Sequence, residues 1–145
     1  MKTYREIALQ NFNEALFSLE NSMYSVAAYL FQQYAEKSAK ALLEKKDPEN
    51  KFLKSHVIES ILAAYDPINK TGENADKSRY LTSLYFNTSY PGDYYFDAEE
   101  VHVKQAHAYA MDLEVYFKAE LERLEKASSS LDLAIDSLPD INIPD

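Results

Sequence analysis

The stretch Tyr24 to Leu43, YSVAAYLFQQYAEKSAKALL, decides the fold. Ala27, Leu30, Phe31, Tyr34, Ala35, Ala41 and Leu42 recur at helical spacing, while Gln33, Glu36, Lys37, Lys40 and Glu44 take the other positions. One face is expected to form core and the other to meet solvent or a site. Upstream, Ala8, Phe12, Ala15, Leu16 and Leu19 line a first helix from about Tyr4 to Leu19, and Asn21-Ser22 supplies a break and an N-cap. So short a connection makes the two helices an antiparallel hairpin. Lys45-Lys46 suits the C-terminus of the second helix, and Asp47-Pro48 ends it.

Downstream, a polar loop over residues 47–54 leads to Ser55, read as the N-cap of a short helix from His56 to Ala64. Asp66-Pro67 closes that helix, and NKTGEN at 69–74 reads as the most mobile loop. A fourth helix from about Asp76 to Phe86 is predicted to bury Tyr80, Leu81, Leu84 and Tyr85. Tyr90-Pro91-Gly92-Asp93 forces a turn, because proline presets φ and glycine tolerates positive φ. Asp97 with Glu100 resembles a capping box opening the last helix, whose stripe of Val103, Ala106, Ala110, Leu113, Phe117, Leu121 and Leu124 predicts an end near Lys126. The expected division is a helical bundle over 1–127 and an acidic tail over 128–145, flexible or docking. With two glycines and five prolines, the economical reading is all-α, an up-and-down bundle of four to five helices.

Composition narrows the function classes. Lys plus Arg number 15 and Asp plus Glu 24, so the net charge is 15 − 24 = −9, the wrong sign for long-range attraction to DNA or anionic lipid. The longest charge-free run, Asn21 to Ala35, is shorter than the roughly 20 apolar residues a membrane span needs. With no cysteine, disulfide frameworks and thiol chemistry are excluded, and a cytoplasmic location is expected. His102 and His107 are five residues apart on one helix, so they diverge by about 140° and do not form a helix-borne metal pair. No glycine-rich phosphate loop, nucleophile elbow or Asp-x-Asp pair is present, and neither metal nor cofactor is expected.

Three features in combination resemble the HEPN domains, the higher eukaryotes and prokaryotes nucleotide-binding family. The second helix carries Gln32, Gln33, Glu36, Lys37, Lys40 and Leu42 in a Gln-Gln-x-x-Glu-Lys-x-x-Lys-x-Leu pattern. Ser55-His56 matches the Thr/Ser-His step, and Tyr85 to Gly92 matches the Tyr-x-x-x-Arg-Tyr-Pro-Gly segment. The likeness covers about residues 3–125. It implies a helical bundle, paired as a homodimer or with another chain. Some members are partners of small nucleotidyltransferases, often in toxin–antitoxin pairs, and others are metal-independent RNases using Arg, four to six residues, then His.

This chain departs from that pattern twice. Ser89 stands where Arg precedes Tyr-Pro, and none of Arg5, Arg79 and Arg123 has His at the RNase spacing. Tyr85 stands at that spacing from Arg79, but tyrosine does not replace imidazole as a base near neutral pH. The reading is a non-catalytic binding module, either nucleotide-binding or the partner of a nucleotidyltransferase. A diverged RNase toxin and a purely structural interaction protein are the alternatives. Gln33, Lys37, Lys40, His56 and Tyr90 are the candidate ligand or interface residues. Lys37 and Lys40 would meet a phosphate and Gln33 a base or sugar edge. Against this stands the ordinary reading of Glu36–Lys40 and Lys40–Glu44 as i,i+4 pairs on a solvated face, with His56 fixing the entry to the third helix.

Overall fold

A computed structural model describes residues 1–89 and 97–138. Five helices make up the bundle: α1 (Tyr4–Glu20), α2 (Tyr24–Lys46), α3 (Ile58–Tyr65), α4 (Glu73–Ser89) and α5 (Glu100–Asp136). No strand occurs among the described residues. Single 3₁₀ turns, Lys51–Lys54 and Pro67–Lys70, flank α3.

At the start of α1 the Thr3 hydroxyl accepts the Glu6 N–H at 3.1 Å. The predicted cap at Asn21-Ser22 works differently from the expectation. Ser22 adopts φ 59°, and the Asn21 amide donates to the Phe17 carbonyl at 2.8 Å, so the pair terminates α1 rather than capping α2. The reversal lays α2 antiparallel on α1.

Helix α2 is the hub, packing against α1, α3, α4 and α5. Ala27, Ala28, Ala35 and Ala39 let the neighbouring helices close in, while Phe31, Tyr34, Leu42 and Leu43 fill the volume between them. Phe12 meets Phe31 and Tyr34 edge-on at 5.7 and 5.1 Å, and Phe117 meets Tyr34 at 6.0 Å. From α5, Val103, Ala106, Ala110, Leu113 and Phe117 complete the core. Of the second face of α2, expected to meet solvent or a site, Glu36 and Lys40 are buried together with Gln32 and Ser38, while Gln33 and Lys37 are half-buried and Glu44 is exposed. A helix with neighbours on several sides has little face left for water.

Helix α3 begins two residues later than expected. Ser55 Oγ accepts the Val57 N–H at 3.0 Å within an extended segment, so His56 lies in the connection ahead of the helix. The expected mobile loop contains a buried anchor: Asn69 donates its amide to the Leu62 carbonyl at 3.3 Å and to the Tyr116 hydroxyl at 2.9 Å. Helix α4 buries Leu81, Leu84 and Tyr85, as expected, whereas Tyr80 is half-buried with its hydroxyl donating to the His102 carbonyl. The predicted Tyr90-Pro91-Gly92 turn lies outside the described residues.

The capping box of α5 uses Glu99 and His102 in place of Asp97 and Glu100. Nor does α5 stop at Lys126, since Ser128-Ser129-Ser130 passes through it without a break and the helix runs to Asp136. Serine costs a helix only about half a kcal/mol per residue, which the good helix formers on either side offset.

Candidate functional site

The site is built around one buried carboxylate. Gln32, Glu36 and Lys40 follow at i, i+4 and i+8 on one row of α2, which places the carboxyl between an amide and an ammonium. Gln32 Nε2 donates to Glu36 Oε1 at 3.2 Å, and both Lys37 Nζ and Lys40 Nζ reach Oε2 at 3.2 Å. From the connection ahead of α3, His56 brings Nδ1 within 3.0 Å of Oε1. Each carboxylate oxygen therefore takes two partners, which satisfies the acceptor capacity of a buried ionised group. Gln33 joins at one remove, donating to the Gln32 carboxamide oxygen at 2.6 Å.

Burial by itself would raise the Glu36 carboxyl, but Lys40, Gln32, Lys37 and His56 together hold it below the usual carboxylate range. Lys40 goes down from its ordinary value because burial outweighs the pull of Glu36. Since the ionised carboxylate only accepts, His56 Nδ1 carries the donated hydrogen, and in the neutral form of the ring Nε2 is the acceptor.

The cluster grades from core to surface. The Glu36 side chain is 0% exposed and Lys40 5%, but Lys37 is 22% and His56 49% exposed. The imidazole stacks on Tyr85 of α4 at 4.8 Å between centroids and 20° between planes, and Tyr29 of α2 stacks with Tyr85 at 6.0 Å. His56 is thus held in position by Glu36 and stacked on Tyr85, with Lys37 on the other oxygen of the same carboxylate. Taking Glu36 as −1 and the two lysines as +1 each leaves the cluster at −1 + 1 + 1 = +1 with neutral imidazole. It is a local positive site on a chain of net charge −9.

Of the five residues singled out from sequence, Gln33, Lys37, Lys40 and His56 converge here. Tyr90 lies outside the described residues. Sequence reasoning missed the central part of Glu36 and the stack of Tyr85 and Tyr29. The Gln32–Glu36–Lys40 row carried a signal for the first, while nothing local announced the second.

A family model described as the HEPN domain matches residues 1–113. The chain belongs to the HEPN domain family. All three elements of this HEPN site, α2, the His56 connection and α4, fall inside the matched span. The crystal structure of an archaeal HEPN homologue superposes with a TM-score of 0.60 at 24% identity, covering 83% of this chain and 98% of that one. At that identity the likeness establishes the fold. No curated protein matches the chain.

The arginines of this HEPN chain are committed elsewhere. Arg5 bonds Glu114 and Ser38, tying α1 to α5 and α2. Arg79 pairs with Asp76 at 3.2 Å, and Arg123 with Glu120 at 3.0 Å. His102 closes the α5 cap, and His107 stacks on Phe31 at 5.3 Å, so the two histidines serve separate places in the bundle. Among the described residues, no group of acidic or imidazole side chains could hold a metal ion, and no helix is long and apolar enough to cross a membrane.

Proposed function

We propose that this HEPN bundle is a non-catalytic module that binds a nucleotide at the His56–Lys37 edge of the Glu36 cluster. The carrying observation is the half-exposed imidazole, fixed by a buried carboxylate that it shares with a partly exposed ammonium, and stacked on Tyr85. An oriented ring offers a face on which a base can stack. Its Nε2 lone pair accepts from a base amine or a ribose hydroxyl, and Lys37 supplies the cation for a phosphate. Arg5, Arg79 and Arg123 pair with Glu114, Asp76 and Glu120 rather than with Glu36 or His56, which supports the non-catalytic part.

The module works beside a second copy or a protein partner, with a small nucleotidyltransferase of the toxin–antitoxin type as the partner the family suggests. Co-purification with a nucleotidyltransferase from its own gene neighbourhood tests that part. Calorimetric titration with the four nucleoside monophosphates and triphosphates tests binding. Lys37→Ala should weaken binding roughly tenfold, the size of one charge-assisted hydrogen bond, with unchanged melting. Absence of binding by every nucleotide would refute the reading.

One observation favours a second reading. His56 is half-exposed with Nδ1 held by Glu36, which leaves Nε2 as the nitrogen a general base would use, so a diverged, metal-independent RNase is the alternative. Chelator-resistant cleavage of total RNA that disappears in His56→Ala would establish it and overturn the non-catalytic reading.

A further inference from the structure

The core row of α5 does not stop where the bundle stops. Val103, Ala106, Ala110, Leu113 and Phe117 are buried, Leu121 and Leu124 are half-buried, and the same row continues through Ser128, Leu131, Ile135 and Leu138. At about 100° per residue the members within the helix, Val103 to Ile135, fall within an arc of about 80°, and Leu138 follows just past the helix end. Steps of three and four alternate from Phe117 onward, the spacing of a coiled-coil seam. Leu131 is 61% exposed, Ile135 55% and Leu138 63%. Helix α5 is about 55 Å long by its 37 residues, and its last turns extend beyond the family-matched residues 1–113. The overhang is a seam lacking its second helix.

Charge selects the occupant. One edge of the seam carries Glu125, Asp132 and Asp136, and the other carries Ala127 and Ala134. No Lys or Arg follows Lys126. A second copy laid antiparallel would set the acidic edge against itself. Laid parallel, it would set the acidic edge against Ala127 and Ala134, with no counter-charge. Neither arrangement sets a Lys or Arg at the seam edge of these turns, and the antiparallel one opposes like charges.

We propose that the α5 overhang, from Leu124 to Leu138, docks a basic amphipathic helix of another protein. The partner's apolar seam covers Leu131, Ile135 and Leu138, and its Lys or Arg residues lie along the Asp132–Asp136 edge.

The probe is a labelled synthetic peptide of about three heptads with Leu at the seam positions and Lys at the flanks, compared with a twin carrying Glu at the flanks. Fluorescence anisotropy against the full chain should show binding of the Lys peptide, weakened by salt, and none of the Glu twin. Ile135→Asp should weaken binding roughly tenfold or more with an unchanged melting temperature, because the side chain is exposed and outside the core. Failure of the Lys peptide to bind, or equal binding of both peptides, would overturn the proposal. So would a concentration-dependent dimer in light scattering that Ile135→Asp converts to monomer, since the occupant would then be a second copy.

Discussion

Replacing Glu36 with glutamine removes the charge that Lys37, Lys40 and His56 share, and the structure sets the size of the effect. Breaking a buried ion pair by removing one partner costs about 3–5 kcal/mol, chiefly because the surviving charge stays buried without compensation. Lys37 and His56, 22% and 49% exposed, can turn to water, so that cost concentrates on Lys40, which is 5% exposed. The expected loss is therefore near the lower bound, about 3 kcal/mol, equivalent to a fall of about 6–12 °C in Tm for a chain of this size. Urea unfolding followed by far-ultraviolet circular dichroism measures it.

The paired variant Glu36→Gln/Lys40→Met removes both buried charges and should recover all but about 1 kcal/mol. A single-variant loss below about 1 kcal/mol, the value of an exposed pair, would refute the buried-cluster reasoning. So would a double variant no more stable than the single.

Acid should reveal the same carboxylate. Glu36 is held below its ordinary range when folded, so the unfolded chain takes up the proton first as pH falls. Its stabilisation is complete above the unfolded value of about 4.3 and is lost as pH drops through the lower folded value, a loss that Glu36→Gln/Lys40→Met lacks. Parallel urea titrations at stepped pH measure the difference. In the core, Phe117→Ala removes the ring packed edge-on against Tyr34 and should cost about 3–5 kcal/mol, measured by thermal denaturation. Asn69→Ala strips the Leu62 carbonyl and the Tyr116 hydroxyl of their amide donor and should cost about 1–3 kcal/mol in urea unfolding.

The elements could be read from sequence because each apolar stripe states its own period. Ala8 to Leu19 and Val103 to Leu124 announce helices whichever partners they meet, and the Asn21-Ser22 break can only return the chain along α1. The surroundings of α2 were not legible in the same way. Glu36 and Lys40 at i,i+4 look the same in sequence whether the next layer is water or α3 and α4, so the pattern alone does not separate a solvated pair from a buried cluster. The stack of Tyr85 beneath His56 joins residues on different elements, and no local pattern encodes a contact of that range. Serine's turn preference misplaced the end of α5, where a modest propensity cost lost to flanking helix formers.

Glu36 bears on function through the division of its partners. Gln32 and Lys40 hold it from the buried side, and Lys37 and His56 from the exposed side. An anionic group arriving at the surface competes with Glu36 for Lys37, because both accept from the same ammonium. If Lys37 swings outward, Oε2 keeps Lys40 and Oε1 keeps Gln32 and His56, so the carboxylate remains paired while the surface cation is released to the ligand. Removing Lys40 instead leaves Lys37 as the remaining ammonium on Oε2, and moving it outward would then strand a buried charge. Lys40→Met should therefore weaken nucleotide binding although Lys40 itself is too buried to touch the ligand, whereas a Lys40 with a purely structural part would change the melting curve and leave the affinity of the folded protein alone.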